Sequence, residues 1–207
     1  RVGFSSKLYK TDKFLLTQPF GNVPAGFTEN GDFGIFESNS IMRMVARAGD
    51  SNHRLYGDNI YEQSRIDSFL DQTLVLGAST QNYFIASLSD ANELSLATYE
   101  LAEKALLFYL NGIERSLKCQ PSGHFIAAPN LTLVDIAFAC ELSMFASEIK
   151  LDAKLRKLEK STIISNLIKF PNCHRLFDLL LAKKNFSSDL SRNYAMIESL
   201  LKIKKNV

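Results

Sequence analysis

The stretch "GNVPAGFTENGDFGIFESNSIMRMV", residues 21–45, decides the fold. Two short apolar runs, AGFT and FGIF, flank the dipeptide Asn30-Gly31. Asn-Gly between apolar runs is the strongest local signal for a β-hairpin, because a type I′ turn needs positive φ at both central residues. The pattern therefore predicts a hairpin with Asn30-Gly31 at its turn, followed by an apolar helix that Ser38 or Asn39 caps.

Two dipeptides in this stretch, Val23-Pro24 and Glu37-Ser38, have the residue types of a binding site for a small ligand and are here called the clamp. Val23-Pro24 precedes the first predicted strand, and two alternatives stay equally open for it. A cis peptide bond would expose the backbone of Val23 to a ligand, whereas a trans proline would simply begin an edge strand. Glu37 and Ser38 stand where free helix N–H groups favour a carboxylate or phosphate, and Glu37 suits a substrate ammonium. On these residues alone, a helix cap without a ligand is the favoured interpretation for Glu37-Ser38.

The remainder of the chain is predicted to be helical. A short helix is expected over residues 11–18, with Thr11 or Asp12 as its cap. Apolar residues recur every three or four positions in four longer segments, residues 60–77, 90–118, 130–149 and 161–186. The third segment is apolar on almost every side, which predicts a buried central helix, and Pro171 divides the fourth. In the first segment the spacing places five apolar residues near one face: Ile60, Ile66, Phe69, Leu70 and Leu74.

Thr132 and Asp135 form a capping-box pattern before the third helical segment, with Asp in place of the usual Glu or Gln. The Thr132 hydroxyl would bond the amide three residues on, and the Asp135 carboxylate would reach back. We interpret this pair as purely structural. Turn-rich residues 50–58 then mark a boundary between a small α+β domain, residues 1–50, and an all-helical domain, residues 58–207.

Composition excludes several classes of function. The chain has 207 residues, 46% of them hydrophobic, and a net charge of +2, so it lacks the basic character of a nucleic-acid-binding protein. No apolar run approaches the ~20 residues that span a bilayer, so we expect no membrane partner. Cysteines are odd in number and form no CxxC pair, which predicts no disulfide or zinc site and a reducing, cytoplasmic location (Cys119, Cys140 and Cys173).

The isolated histidines and the absence of common catalytic motifs also predict no active site. His53, His124 and His174 are isolated, without carboxylate or Cys neighbours at metal-ligand spacing, so no metal is expected. GxSxG, P-loop and HExxH motifs do not occur in the sequence.

The segments "KFLLTQPFGNVPA", "GIFESNSIMRMVA" and "GHFIAAPNLTLVDIAFACELSMF", in this order, resemble the glutathione S-transferase fold. Within that superfamily, "FESNSIMRMVAR" and "LYGDNIYEQSRIDSFLD" are most similar to the amino-terminal domain of the gamma subunit of translation elongation factor 1. The chain departs from that subfamily at Ser40, where Ala is usual, and at Phe69, where Trp is usual.

The resemblance implies a fold and a ligand site. The fold is α+β and then all-α: an incomplete thioredoxin-like domain followed by a helical domain. In such proteins the residues matching Val23 and Pro24 form a cis-proline loop that pairs with glutathione. Those matching Glu37 and Ser38 hold its γ-glutamyl end.

The resemblance also implies that the first strand and helix, which carry the catalytic residue of transferases, are missing from this sequence. Two alternatives stay open: residues upstream of Arg1 supply this segment, or the protein has lost it and its catalysis. The early hydroxyl residues lie in the wrong segment for that role (Ser5, Ser6 and Tyr9), so no catalytic residue is assigned.

Three functions follow as hypotheses. The first is a non-catalytic interaction module that scaffolds the nucleotide-exchange complex of translation elongation, with elongation factor 1 subunits or another chain of this fold as partners. It requires no cofactor. The second is a glutathione S-transferase that conjugates glutathione to electrophiles, and the third is a structural subunit of a larger assembly. The missing catalytic segment favours the non-enzymatic hypotheses.

Overall fold

The fold was analysed in a computed structural model, which describes residues 10–31, 33–49, 54–120 and 125–205, with side chains up to residue 201. Contacts divide the chain into two compact units, Arg1–Asp58 and Asn59–Val207. The division falls at the end of the turn-rich segment 50–58, where the sequence places a domain boundary.

The first unit contains a two-stranded antiparallel sheet and two helices. Its elements are α1 (Asp12–Thr17), β1 (Ala25–Phe27), β2 (Gly34–Phe36) and α2 (Ser38–Ala48). Thr11 is the cap of α1, as predicted, because its hydroxyl accepts a hydrogen bond from the Phe14 N–H at 3.3 Å. Buried Phe14 packs with Ala25 and with the ring of Phe27, whose centroid is 6.1 Å away. This small cluster explains why α1 and the hairpin form one unit.

The hairpin is confirmed, but the predicted type I′ turn is wrong. Strand pairing ends at Phe27 and Gly34, so the connection consists of residues 28–33 and not of two residues. Within it the Gly31 N–H donates to the Thr28 carbonyl at 2.9 Å. Asn30 and Gly31 are therefore the third and fourth residues of that turn. Gly31 still supplies the positive φ, +78°, for which glycine is suited.

All regular secondary structure in the described part of the second unit is helical. Its α-helices are α3 (Ile60–Ile85), α4 (Leu96–Cys119), α5 (Leu133–Met144), α6 (Asp152–Lys157), α7 (Pro171–Leu181) and α8 (Lys184–Lys205), and 3-10 helices span Phe145–Leu151 and Ile163–Lys169. The predicted central helix is confirmed as α5, which packs against α3, α7 and α8 and is buried along most of its length. Pro171 begins α7, as its position predicts. None of the described helices has the length and apolar character to cross a membrane.

The predicted apolar face of α3 is partly wrong. Ile66 and Leu70 are fully buried, and the buried stripe continues through Thr73 and Leu76 to Thr80 and Tyr83. Ile60 and Leu74 are instead exposed at 70% and 42%. At 100° per residue, Leu74 lies about a third of a turn from the centre of this stripe. The sequence pattern placed the face wrongly because two buried positions of the stripe are Thr residues, which a hydrophobic pattern does not mark.

A buried carboxylate joins the two 3-10 helices. Glu148 is fully buried, and its Oε1 accepts hydrogen bonds from the Tyr83 hydroxyl at 2.6 Å and the Ile163 N–H at 2.7 Å. Its Oε2 accepts from the Ile164 N–H at 3.0 Å. Burial raises the pKa of Glu148 to about 7, against the opposing effect of these hydrogen bonds. One side chain thus fixes the start of the second 3-10 helix to the first and to α3.

Candidate functional site

The structure brings the two clamp dipeptides to one end of the hairpin. Pro24 directly precedes Ala25, and the strand register pairs Ala25 with Phe36. Phe36 is followed at once by Glu37 and then Ser38, so both dipeptides flank the same pair of strand residues. The peptide bond between Val23 and Pro24 is cis, the first of the two alternatives that the sequence leaves open.

The loop before the cis-proline is held by Gln18, a residue that sequence reasoning missed. Gln18 is buried, and its Nε2 donates to the Asn22 carbonyl at 3.0 Å. Its Oε1 accepts from the Phe20 N–H at 2.8 Å. Gly21 makes the intervening turn with φ of +65°. A polar residue between a helix end and a proline carries no distinctive pattern, so only the fold reveals this role.

The N-terminus of α2 differs from the prediction. Neither Ser38 nor Asn39 is the cap, because both lie inside the helix and Glu37 occupies the N-cap position. Glu37 has φ of +66° and ψ of 127°, and its side chain makes no capping hydrogen bond to the described first turn. Because β2 ends at Phe36 and α2 begins at Ser38, Glu37 is the single residue that connects the strand to the helix. A non-glycine residue with positive φ is rare, and such residues cluster at ligand-binding and functional sites.

The clamp has the chemistry to hold a zwitterion. The side chains of Glu37 and Ser38 are exposed, while Asn39 behind them is buried. A carboxylate attracts an ammonium group, and the N–H groups that open α2 attract a carboxylate. The γ-glutamyl end of glutathione has both groups, so these residues fit it.

Thr132 and Asp135 have a structural geometry. Asp135 is fully buried, and its Oδ2 accepts from the Thr132 N–H at 2.8 Å and the Thr132 hydroxyl at 3.0 Å. Its Oδ1 accepts from the Ile126 N–H at 3.0 Å. The Thr132 hydroxyl accepts from the Val134 N–H at 3.3 Å, within a complete capping box. Burial raises the pKa of Asp135 to about 6, although the hydrogen bonds from Ile126 and Thr132 oppose that rise. The pair fixes the start of α5 and ties the preceding loop to it.

The interpretation of His174 as isolated is wrong. Its Nε2 lies 3.9 Å from Asp178 Oδ2 and 3.6 Å from Glu198 Oε1. The spacing of His174 and Asp178, one helical turn, was available in the sequence, but Glu198 comes from another helix. His53 and His124 lie outside the described residues, as do Ser5, Ser6 and Tyr9.

The cysteines are free thiols, and their burial differs from one to the next. Cys173 is buried, as expected of a small hydrophobe, whereas Cys119 and Cys140 are exposed.

An exposed apolar surface on the second unit is the other candidate site. Its members, here called the α3–α4 face, are Phe69, Val75, Leu101 and Phe108. Phe108 is 70% exposed, Val75 55% and Leu101 54%. Two adjoining grooves between α3 and α4, of about 380 and 230 Å³, share Phe108 and run along this face. Sequence reasoning missed the face, since an apolar residue at helical spacing is ordinarily assigned to the core.

Comparison with known proteins agrees with the fold. No protein-family model matches the chain. The chain is 31% identical to Elongation factor 1-gamma 1 of Oryza sativa subsp. japonica over 136 residues, 65% of this chain and 31% of that protein. It is 27% identical to Elongation factor 1-gamma 3 of the same plant over 207 residues, 95% of this chain and 42% of that protein. The chain therefore spans less than half the length of these relatives.

Among solved structures, a glutathione S-transferase like protein from Lodderomyces elongisporus superposes with a TM-score of 0.69 at 18% identity. The superposition covers 91% of this chain and 81% of that one, which shows the fold. The small sheet followed by a helical unit is consistent with it. The chain has the glutathione S-transferase fold and is similar in sequence to elongation factor 1-gamma.

Proposed function

We propose that the chain is a non-catalytic protein-interaction module of the elongation factor 1-gamma type, which scaffolds the nucleotide-exchange complex of translation elongation in the cytoplasm. Its partner is an elongation factor 1 subunit or a second chain of glutathione S-transferase fold. The similarity to elongation factor 1-gamma supports the assignment. The observation that carries it is the α3–α4 face.

The α3–α4 face has the properties of a protein interface. Leu101 and Phe108 lie two turns apart on α4, and both line the smaller groove, which Val75 lines from α3. Large exposed apolar side chains that line a groove are the usual anchors of interfaces. Complete burial of one such side chain stabilises a complex by about 1.5–3 kcal/mol. Lys104 and Arg115 border the grooves, which suits a polar rim around an apolar centre.

A binding measurement with charge substitutions tests this function. We expect the purified chain to bind the nucleotide-exchange subunit of elongation factor 1, and Phe108→Glu to weaken binding by about tenfold or more. Leu88→Glu is the matched control, because Leu88 is 75% exposed but lies outside the face. Sedimentation of the chain alone and with a second chain of this fold identifies the alternative partner. If all partners bind equally to the wild type and to Phe108→Glu, the α3–α4 face is not the interface.

A second candidate function, glutathione binding, rests on the positive φ of Glu37 and its place beside Pro24. The Glu37 carboxylate would hold the ammonium group of the γ-glutamyl end, and Ser38 with the α2 N–H groups would hold its carboxylate. Val23 would contribute backbone groups. In a transferase the bound thiol is deprotonated and attacks an electrophile, and none of the residues described here is assigned to that deprotonation.

Titration with glutathione, paired with a chlorodinitrobenzene conjugation assay, separates the two functions. Glu37→Gln should weaken binding, while Glu29→Gln in the exposed hairpin loop is the matched control. Binding without turnover would indicate that the interaction module also binds glutathione. Turnover would indicate that the chain is an enzyme and would contradict the non-catalytic function.

A further inference from the structure

Three side chains that can bind a metal ion converge between α7 and α8. His174 and Asp178 are one turn apart on α7, and Glu198 approaches them from α8. The distances from His174 Nε2 are 3.6 Å to Glu198 Oε1 and 3.9 Å to Asp178 Oδ2, and all three ligand atoms lie within 4.8 Å of one another. Two consecutive helices thus present one nitrogen and two carboxylates to one point.

The surroundings hold these side chains in place. The Tyr194 hydroxyl donates to Asp178 Oδ1 at 2.8 Å, which leaves Oδ2 directed to His174. The ring of Tyr194 also packs edge-on against buried Phe177, with centroids 5.8 Å apart. The side chains of His174 and Glu198 are about three-quarters buried, at 26% and 28% exposure, whereas Asp178 is 48% exposed. A hydrogen bond to the far oxygen of a ligating carboxylate is the usual outer-shell arrangement of a metal site.

We propose that His174, Asp178 and Glu198 form a site for a divalent transition-metal ion, with Zn²⁺ as the ion that the ligands suit best. Tetrahedral zinc with ligand bonds of about 2.0–2.1 Å places neighbouring ligand atoms about 3.3 Å apart. The separations from His174, 3.6 and 3.9 Å, are slightly longer than this, and all three ligand atoms lie within 4.8 Å of one another, so side-chain rotations that draw the two carboxylates together would close the site. Imidazole favours zinc over Ca²⁺ and Mg²⁺, which prefer oxygen ligands alone. Two carboxylates balance the charge of the ion, and water takes the fourth position.

The same geometry also suits an ion-pair cluster in which a protonated His174 contacts both carboxylates without metal. The two arrangements differ in a measurable way. A metal site binds one ion per chain and loses affinity when any ligand atom is replaced, whereas the ion-pair cluster binds none.

Calorimetric titration with ZnCl₂ alone tests the proposal. Exposed thiols also bind zinc, so the reference chain carries Cys119→Ser and Cys140→Ser. We expect one site with a dissociation constant in the micromolar range or tighter, and a rise in melting temperature with zinc concentration. His174→Gln and Glu198→Gln preserve side-chain size and should each weaken binding by about a hundredfold or more, beyond the loss typical of an outer-shell residue.

Two further variants sharpen the result. Tyr194→Phe removes only the outer hydrogen bond and should weaken binding by about tenfold. Asp152→Asn is the matched control, because Asp152 also accepts from a basic side chain one turn away but lies in α6. Circular dichroism verifies that each variant folds. The absence of saturable binding, or equal binding by the reference chain and a folded His174→Gln variant, would overturn the proposal in favour of the ion-pair cluster.

Discussion

Glu148 should make the stability of the helical unit fall as pH rises. Burial raises its pKa in the folded chain to about 7 from an ordinary value of 4.5. A group with a raised folded pKa binds its proton more tightly in the folded state. Its stabilising contribution is complete below the unfolded pKa and disappears as pH rises through the folded pKa.

The size of this effect follows from the two pKa values. A pKa shift of one unit corresponds to 1.36 kcal/mol in the free energy of unfolding. Most of the change in that free energy occurs between about pH 5 and about pH 8, because this range contains most of the interval between the unfolded and folded pKa values. The free energy of unfolding should therefore fall by about 2.5 kcal/mol over that range through Glu148 alone. Glu148→Gln removes this titration. The new amide also faces the Ile164 N–H with a donor, which lowers stability by about 1–3 kcal/mol at every pH.

Urea denaturation of both proteins at several pH values measures the difference. Titration of every other group cancels when the curve for Glu148→Gln is subtracted from that of the wild type. We expect a difference that declines by about 2.5 kcal/mol from about pH 5 to about pH 8. Glu100→Gln, an exposed carboxylate on α4, is the control and should follow the wild type. Parallel curves would refute the titration of Glu148, and a difference that grows with pH would show that the three hydrogen-bond donors outweigh burial.

Two other substitutions test single contacts. At Gly34 an added Cβ would clash with the Thr17 carbonyl oxygen, so Gly34→Ala should destabilise the first unit by about 1–3 kcal/mol, whereas Gly26→Ala in the paired strand meets only an ordinary contact. Hydrogen exchange of the hairpin amides measures this, and equal protection in both variants would contradict it. The Lys154 ammonium donates to three carbonyls after α3, at 2.6–2.8 Å, so Lys154→Met should lower the free energy of unfolding by about 2–3 kcal/mol. Exposed Lys157→Met is its control in thermal denaturation, and equal melting temperatures would show that these bonds contribute nothing.

Local signals predicted the elements of the fold well. The cap at Thr11, the hairpin and the break at Pro171 depend on residues within a few positions of one another, so the sequence contains all the necessary information. The type I′ turn predicted at Asn30-Gly31 failed because Thr28 and Phe33 close a wider loop. The Thr28 N–H donates to the Phe33 carbonyl at 3.0 Å, and the Phe33 N–H donates to the Thr28 hydroxyl at 3.1 Å.

The polar contacts that hold the helical unit were not predictable, because their partners are far apart in sequence. Glu114 accepts from the N–H groups of Asn172 and Cys173 at the start of α7, both at 3.0 Å and both nearly sixty residues away. Although burial opposes it, hydrogen bonds from the Asn172 side-chain amide, at 2.7 Å, and from the Cys173 N–H lower the pKa of Glu114. The Lys154 ammonium contacts the carboxyl-terminal end of α3 in a similar way, where a positive charge is favourable, just as the negative Glu114 is favourable at the amino-terminal start of α7. A charged residue in a helical pattern is ordinarily assigned to solvent, so the sequence alone gives no reason to bury these two.

Because the stabilising charged contacts lie away from the α3–α4 face, substitutions on this face test binding separately from stability. The side chains that join helix ends are buried or half-buried, whereas Val75, Leu101 and Phe108 are more than half exposed. Surface substitutions away from such contacts usually change stability by less than about 0.5 kcal/mol. Lost binding by a folded Phe108→Glu variant would therefore report the interface itself. Substitution of Pro24 offers no such separation, because Pro24 adjoins the buried Ala25 and a change there also disturbs the hairpin.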